Sequence, residues 1–133
     1  MNNFTKKLIL GLAILALTGC ATVKSWVPSF SDPNQSARII DVRQSVHQLD
    51  CSQPHLPQAL AIQRNLEWFH LYSESKGWRQ ADVLRVIEPM EQTVAEFVKR
   101  SQAGQGSKFY CDTKKKIMEA QAATAAQAIL GRF

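Results

Sequence analysis

The chain lacks every signal of a strand-built fold. No stretch of its 133 residues sustains an apolar–polar alternation, and neither Asn-Gly nor Asp-Gly marks a two-residue hairpin turn. It carries no internal repeat and no low-complexity domain, so nothing suggests a solenoid or a linker protein. Common catalytic signatures are missing too: there is no Gly-x-Ser-x-Gly elbow, no phosphate loop and no His-Glu-x-x-His. Its principal apolar run, Leu8 to Leu17, is ten residues long. A membrane-spanning helix needs about twice that. Cysteine is scarce, with three in all, which rules out a framework of many disulfides.

The N-terminus is the most informative part of what is present. Lys6 and Lys7 precede the apolar run, and Leu17-Thr18-Gly19-Cys20 closes it. A basic start, an apolar middle and small residues at the end are the three parts of a secretory signal. The closing four residues resemble the lipobox of bacterial lipoprotein precursors, a likeness that covers residues 1–20. The resemblance implies that residues 1–19 are a signal peptide cut away on export. It also implies that Cys20 carries a diacylglyceryl thioether and an amide-linked acyl chain, palmitate being the usual kind. Each buried CH₂ contributes ~0.8 kcal/mol, and two or more chains anchor stably. Such a protein would be lipid-anchored in the cell envelope. Ala21, rather than Asp, after the Cys implies the outer membrane, facing the periplasm.

Removal of residues 1–19 leaves 114 residues, enough for one domain. The leader takes two of sixteen basic residues and none of eleven acidic ones, so the remainder carries a formal charge of +3. That mild, mixed charge calls for no nucleic acid. With Cys20 given to lipid, Cys51 and Cys111 are an even pair in an oxidising compartment, and a disulfide between them is expected. Closing a loop of that length is worth about 4 kcal/mol by chain entropy.

Residues 20–32 read as the lipidated Cys and a tether. Pro28, Ser29, Ser31 and Asp32 break regular structure, while Trp26, Val27 and Phe30 can dip into a bilayer interface or pack on the domain. Residues 33–133 read as a single all-α domain, a small bundle of about four helices. Asp32 can cap the first, with Pro33 at its first position. Ile39, Val42, Val46 and Leu49 form its apolar stripe. Pro57 can begin the second, whose stripe is Ile62, Leu66 and Phe69, and Gly77 ends it. Leu60, Trp68, Leu71 and Tyr72 give that helix a second apolar surface, as in a central helix or one that meets a partner. Val83, Ile87, Met90, Val94 and Phe97 mark the third, with Pro89 expected to kink or break it near Glu88. Gly104-Gln105-Gly106 ends it. A last helix runs from Ser107 or Lys108 toward Leu130, with Cys111, Met118, Ala122, Ala125 and Ile129 on one face. Lys114-Lys115-Lys116 reads as a solvated charge run, the alternative being a contact with acidic head groups.

Candidate chemistry is thin. His47, Cys51, His55 and Cys111 have the residue types of a zinc site, but the spacing matches no standard motif, and the disulfide accounts for both cysteines. No metal or other cofactor is expected. Ser73-Glu74-Ser75-Lys76 matches Ser-x-x-Lys without the rest of that enzyme signature. His70 sits between Glu67 and Glu74, and two carboxylates one helical turn away would favour its protonated ring. Trp68, Phe69, Tyr72 and Trp78 cluster within eleven residues. Phe69 falls on the core stripe. Trp68, Tyr72 and Trp78 are the candidates for a protein-binding surface, since such surfaces are rich in aromatic anchors.

The layout from Ala37 to Cys111 resembles the pilotins of type II secretion. A helix ends in Cys51, Leu56-Pro57 opens a second that closes at Gly77-Trp78, a third follows, and Cys111 opens the last. The resemblance implies an outer-membrane lipoprotein with a small disulfide-linked helical domain that cradles a helical tail of the secretin. Pro89 and the alanine-rich end from Ala120 to Ala128 have no clear place in that layout. The functional expectation is a non-enzymatic, membrane-anchored adaptor with a protein partner in the envelope, either pilotin-like or of the receptor-blocking kind carried by phages and plasmids. The other classes are an envelope hydrolase using Ser73 and Lys76 or His70, and a structural spacer.

Overall fold

The structure, a computed structural model, describes residues 32–104 and 106–131. The expected leader, the expected lipidation site Cys20 and Trp26, Val27 and Phe30 of the expected tether lie outside the described residues. Four helices account for most of the rest: α1 (Pro33–His47), α2 (His55–Ser75), α3 (Ala81–Gln102) and α4 (Lys108–Leu130), with a 3₁₀ turn at Trp78–Gln80 before α3. No strand occurs among the described residues. Consecutive helices run antiparallel, as short connections require. α1 packs on α2 and α4, and α3 packs on the same two, which closes an up-down-up-down ring.

Local chemistry sets the ends of the helices. Asp32 caps α1: its carboxylate accepts from the backbone N–H of Asn34 (2.9 Å) and Gln35 (3.3 Å). Pro33 follows at the first position, where no N–H is needed. Helix α2 begins at His55 rather than at Pro57. Pro57 is tolerated there because N–H groups in the first turn have no intrahelical acceptor. Past α2, Gly77 takes φ +81°, a conformation that side chains disfavour. Ser107 caps α4 by accepting from the Tyr110 N–H at 3.2 Å.

Pro89 does not break α3, which runs unbroken from Ala81 to Gln102. Proline at 89 deprives the Arg85 carbonyl of its usual donor. Both residues lie on the exposed side, where water can serve that carbonyl. The Pro89 carbonyl itself accepts from Thr93 Oγ1 (3.0 Å) and from Gln121 Nε2 of α4 (3.1 Å).

The core is the sum of the four apolar stripes. Ile39, Val42, Val46 and Leu49 from α1 and its end meet Ile62, Leu66 and Phe69 of α2. Val83, Ile87, Met90, Val94 and Phe97 of α3 meet Met118, Ala122, Ala125 and Ile129 of α4. Phe69 and Phe97 are the largest fully buried side chains. The small alanines of α4 let it lie close to its neighbours, as their helix propensity also favours. Cys51, in the turn after α1, is bonded to Cys111 in the first turn of α4, with Cα atoms 5.6 Å apart. Among the described residues no helix is long and apolar enough to cross a membrane.

Candidate functional site

The structure splits the second apolar surface of α2 in two. Trp68 and Tyr72 turn toward α1. Their rings stack with centroids 5.1 Å apart, and the Arg38 guanidinium of α1 lies 4.3 Å from the Trp68 ring. The Tyr72 hydroxyl donates to the Asp32 carboxylate (3.1 Å) and accepts from Asn34 Nδ2 (3.1 Å). The Lys76 ammonium lies 3.5 Å from the same carboxylate and 4.9 Å from the Tyr72 ring. The Tyr72 hydroxyl, and after it the Asp32 charge, hold Lys76 above the ordinary lysine range. Trp68 and Tyr72 therefore form a clasp between α1 and α2. Trp68 stays 42% exposed, yet its faces are occupied.

Leu71 turns the other way and is 57% exposed. It stands on the rim of a groove of about 350 Å³ between α2 and α3. Leu66, Val94 and Ala95 supply apolar lining, and Gln63, Glu67, His70 and Glu91 supply the polar edge. Here His70 departs from its sequence-based placing. Its Nδ1 is 2.6 Å from Glu91 Oε1 of α3, so its close carboxylate partner comes from the neighbouring helix, not from Glu67 or Glu74. The pair links the two helices at the edge of the groove.

Trp78 belongs to neither group. It opens the 3₁₀ turn at the bundle's end, beside a shallow hollow lined by Glu74, Gly77, Ala81 and Leu84, and is 82% exposed. The three aromatics nominated by sequence thus occupy two places: a clasp against α1 and a separate corner next to α3.

The residues nominated for catalysis do not converge. Ser73 is fully buried and its hydroxyl accepts from Gln35 Nε2 at 3.0 Å, whereas the Lys76 ammonium faces Asp32. The four metal-type residues are separated as well. Both cysteines are spent on the disulfide, and His47 is exposed beside Glu119 at 3.6 Å. His55 is buried and its Nε2–H donates to the Cys51 carbonyl at 3.2 Å. No group of three metal-type side chains is gathered among the described residues.

Two features were missed by the sequence reading. Gln35, Ser73 and Gln80 form a buried polar cluster, in which Gln35 Nε2 donates to Ser73 Oγ (3.0 Å) and Gln80 Oε1 (3.2 Å). It ties the start of α1 to the end of α2 and the entry to α3. Lys115, read as part of a solvated run, donates to the carbonyls of His47 and Leu49 at 2.8 Å each. Those carbonyls are orphans at the end of α1, and a cation suits them. Its neighbour Lys114 pairs with Glu96 of α3 at 2.6 Å, so only Lys116 fits the solvated reading. The spacing offered one hint: Lys115 lies one turn after Cys111, on the face that meets α1.

A scan against protein-family models, a search of curated proteins and a search of solved structures each return no match.

Proposed function

We propose that this chain is an envelope lipoprotein, held to the membrane through acylated Cys20, whose four-helix domain binds another protein without catalysis. The observation that carries the reading is the groove between α2 and α3. An exposed leucine, Leu71, stands above apolar lining from Leu66, Val94 and Ala95, with carboxylates at the edge. A groove of this kind suits an amphipathic helix, which would lay two apolar side chains one turn apart into it. Glu67, on the same edge, favours a Lys or Arg on that helix. The Ser73–Lys76 hydrolase reading loses its nucleophile, since Ser73 is sealed in the core and Lys76 faces Asp32.

A photo-crosslinking residue placed at Leu71 in living cells tests this. The expected result is one dominant adduct with an envelope protein, identified by mass spectrometry, and none from the same residue at Lys116 on α4. Leu71→Lys in the native chain should abolish co-purification of that protein. Equal, diffuse labelling from both positions would refute the groove as a binding site. A secretin in the adduct would support the pilotin-like version, and an outer-membrane receptor the blocking version.

A further inference from the structure

The proposed anchor has a geometric consequence at the corner that holds Trp78. Asp32 is the first described residue, and its position fixes where the tether enters the bundle. Its carboxylate caps α1, accepts from Tyr72 and lies beside Lys76, at the C-terminal end of α2. The same end holds the turn into α3, because Gln35 of α1 is bonded to Gln80 at 3.2 Å. Eleven residues lie between Cys20 and Asp32. A coil of that length spans about 20 Å on average, well short of the roughly 34 Å length of the 23-residue α4. The membrane-near end of the bundle is therefore the end with Trp78, and the Cys51–Cys111 bridge marks the far end.

We infer that this corner, centred on Trp78, is a membrane-docking edge that seats in the phospholipid interface holding the Cys20 anchor; the inference rests on the anchor reading above. An indole has an apolar body and a polar N–H, and tryptophan is favoured where bilayer meets water. Trp78 is the most exposed large apolar residue described, and the core makes no use of it. The turn presents it outward: Gly77, at φ +81°, redirects the chain just before it, and the short 3₁₀ segment leaves the ring beside the open hollow over Ala81 and Leu84. Charge does not drive the contact. Lys76 is paired with Asp32, and Arg79 is outnumbered in the adjoining sequence by Glu74 and Asp82, so the corner offers anionic head groups no excess of positive charge. Docking falls to the indole and, unlike a polybasic contact, is insensitive to salt. Tethering keeps the local concentration of membrane high, so one aromatic anchor suffices.

The test uses the lipidated, full mature protein with Trp26→Phe and Trp68→Phe, which leaves Trp78 as its one indole. It is reconstituted into phosphatidylethanolamine–phosphatidylglycerol vesicles doped with lipid brominated near the head group. Flotation and the mass of the N-terminal peptide report the anchor separately. The expected result is a floating, acylated protein whose emission is shifted to shorter wavelength and quenched by bromine, equally at low and high salt. In an otherwise native chain, Trp78→Phe should remove the same contribution by difference, which guards against a fold disturbed by Trp68→Phe. A floating protein with water-like, unquenched Trp78 emission would overturn the docking edge and leave the anchor reading intact. Unacylated, non-floating protein would overturn both. Water-like emission on pure lipid, with shielding in native membrane vesicles, would give the corner to a protein partner and overturn the proposal as well.

Discussion

Replacing Cys51 and Cys111 together by alanine opens a 60-residue loop that the native chain holds shut. Loop-closure entropy for that length comes to about 14 cal/mol/K, or about 4 kcal/mol at 25 °C. Alanine is the informative substitute because Cys111 is fully buried, and serine would strand a hydroxyl in the core. One contact works against the full loss. Lys115 still joins α4 to the carbonyls of His47 and Leu49, next to the missing bridge. Those half-buried, charge-assisted bonds recover little, since they act in the folded state and leave the unfolded chain free. A domain of this size has about 5–15 kcal/mol in total, so ~4 kcal/mol is a large share. At ~4–8 °C per kcal/mol the melting temperature should fall on the order of 20 °C. Circular dichroism melts of parent and double variant, with and without reductant, are the assay. The reduced parent should coincide with the variant, and Lys115→Met should cost more in the variant than in the oxidised parent. A variant melting within about 5 °C of the oxidised parent would refute the loop-closure reasoning.

Trp68→Ala should cost about 1–2 kcal/mol of stability through loss of the Tyr72 stack and the Arg38 contact, read as a lower urea midpoint. An unchanged midpoint would mean the clasp holds nothing. Gln35→Ala strands two buried polar side chains, Ser73 and Gln80, and should destabilise by about 2–3 kcal/mol, whereas a loss under about 0.5 would show the cluster to be dispensable. Pro89→Ala restores a donor for the exposed Arg85 carbonyl and should raise the melting temperature; a fall would make proline at that place a structural requirement. Finally, the hydrogen bond from Lys114, and then its charge, hold the Glu96 carboxyl below the ordinary value of 4.5. A depressed carboxylate stabilises the fold above its unfolded value and loses that contribution as pH falls through the folded one. Parent and Glu96→Gln should therefore differ near neutrality and converge in urea titrations as the pH drops from about 5 toward 3, by a small amount because the pair is exposed. A gap that widens on acidification would contradict the assignment.

The helical stripes, the Asp32 cap, the turn at Gly77 and the Cys51–Cys111 pair were all legible in the order of residues. Each is local or compositional: a period of 3.6, a capping side chain, a residue free to take positive φ, an even pair of cysteines once Cys20 is set aside. Partners across helices were not legible. Glu67 and Glu74 flank His70 in sequence, but Glu91 reaches it, because α3 packs beside that face of α2. Lys115 looked like one of three equivalent solvated lysines, until the antiparallel register set it against the end of α1. Trp68, Tyr72 and Trp78 shared a short window, yet the packing order turned two toward α1 and left the third at the corner. Periodicity decides which side of a helix is apolar; which neighbour that side meets depends on the order and register of the helices around it, and only the assembled bundle supplies both.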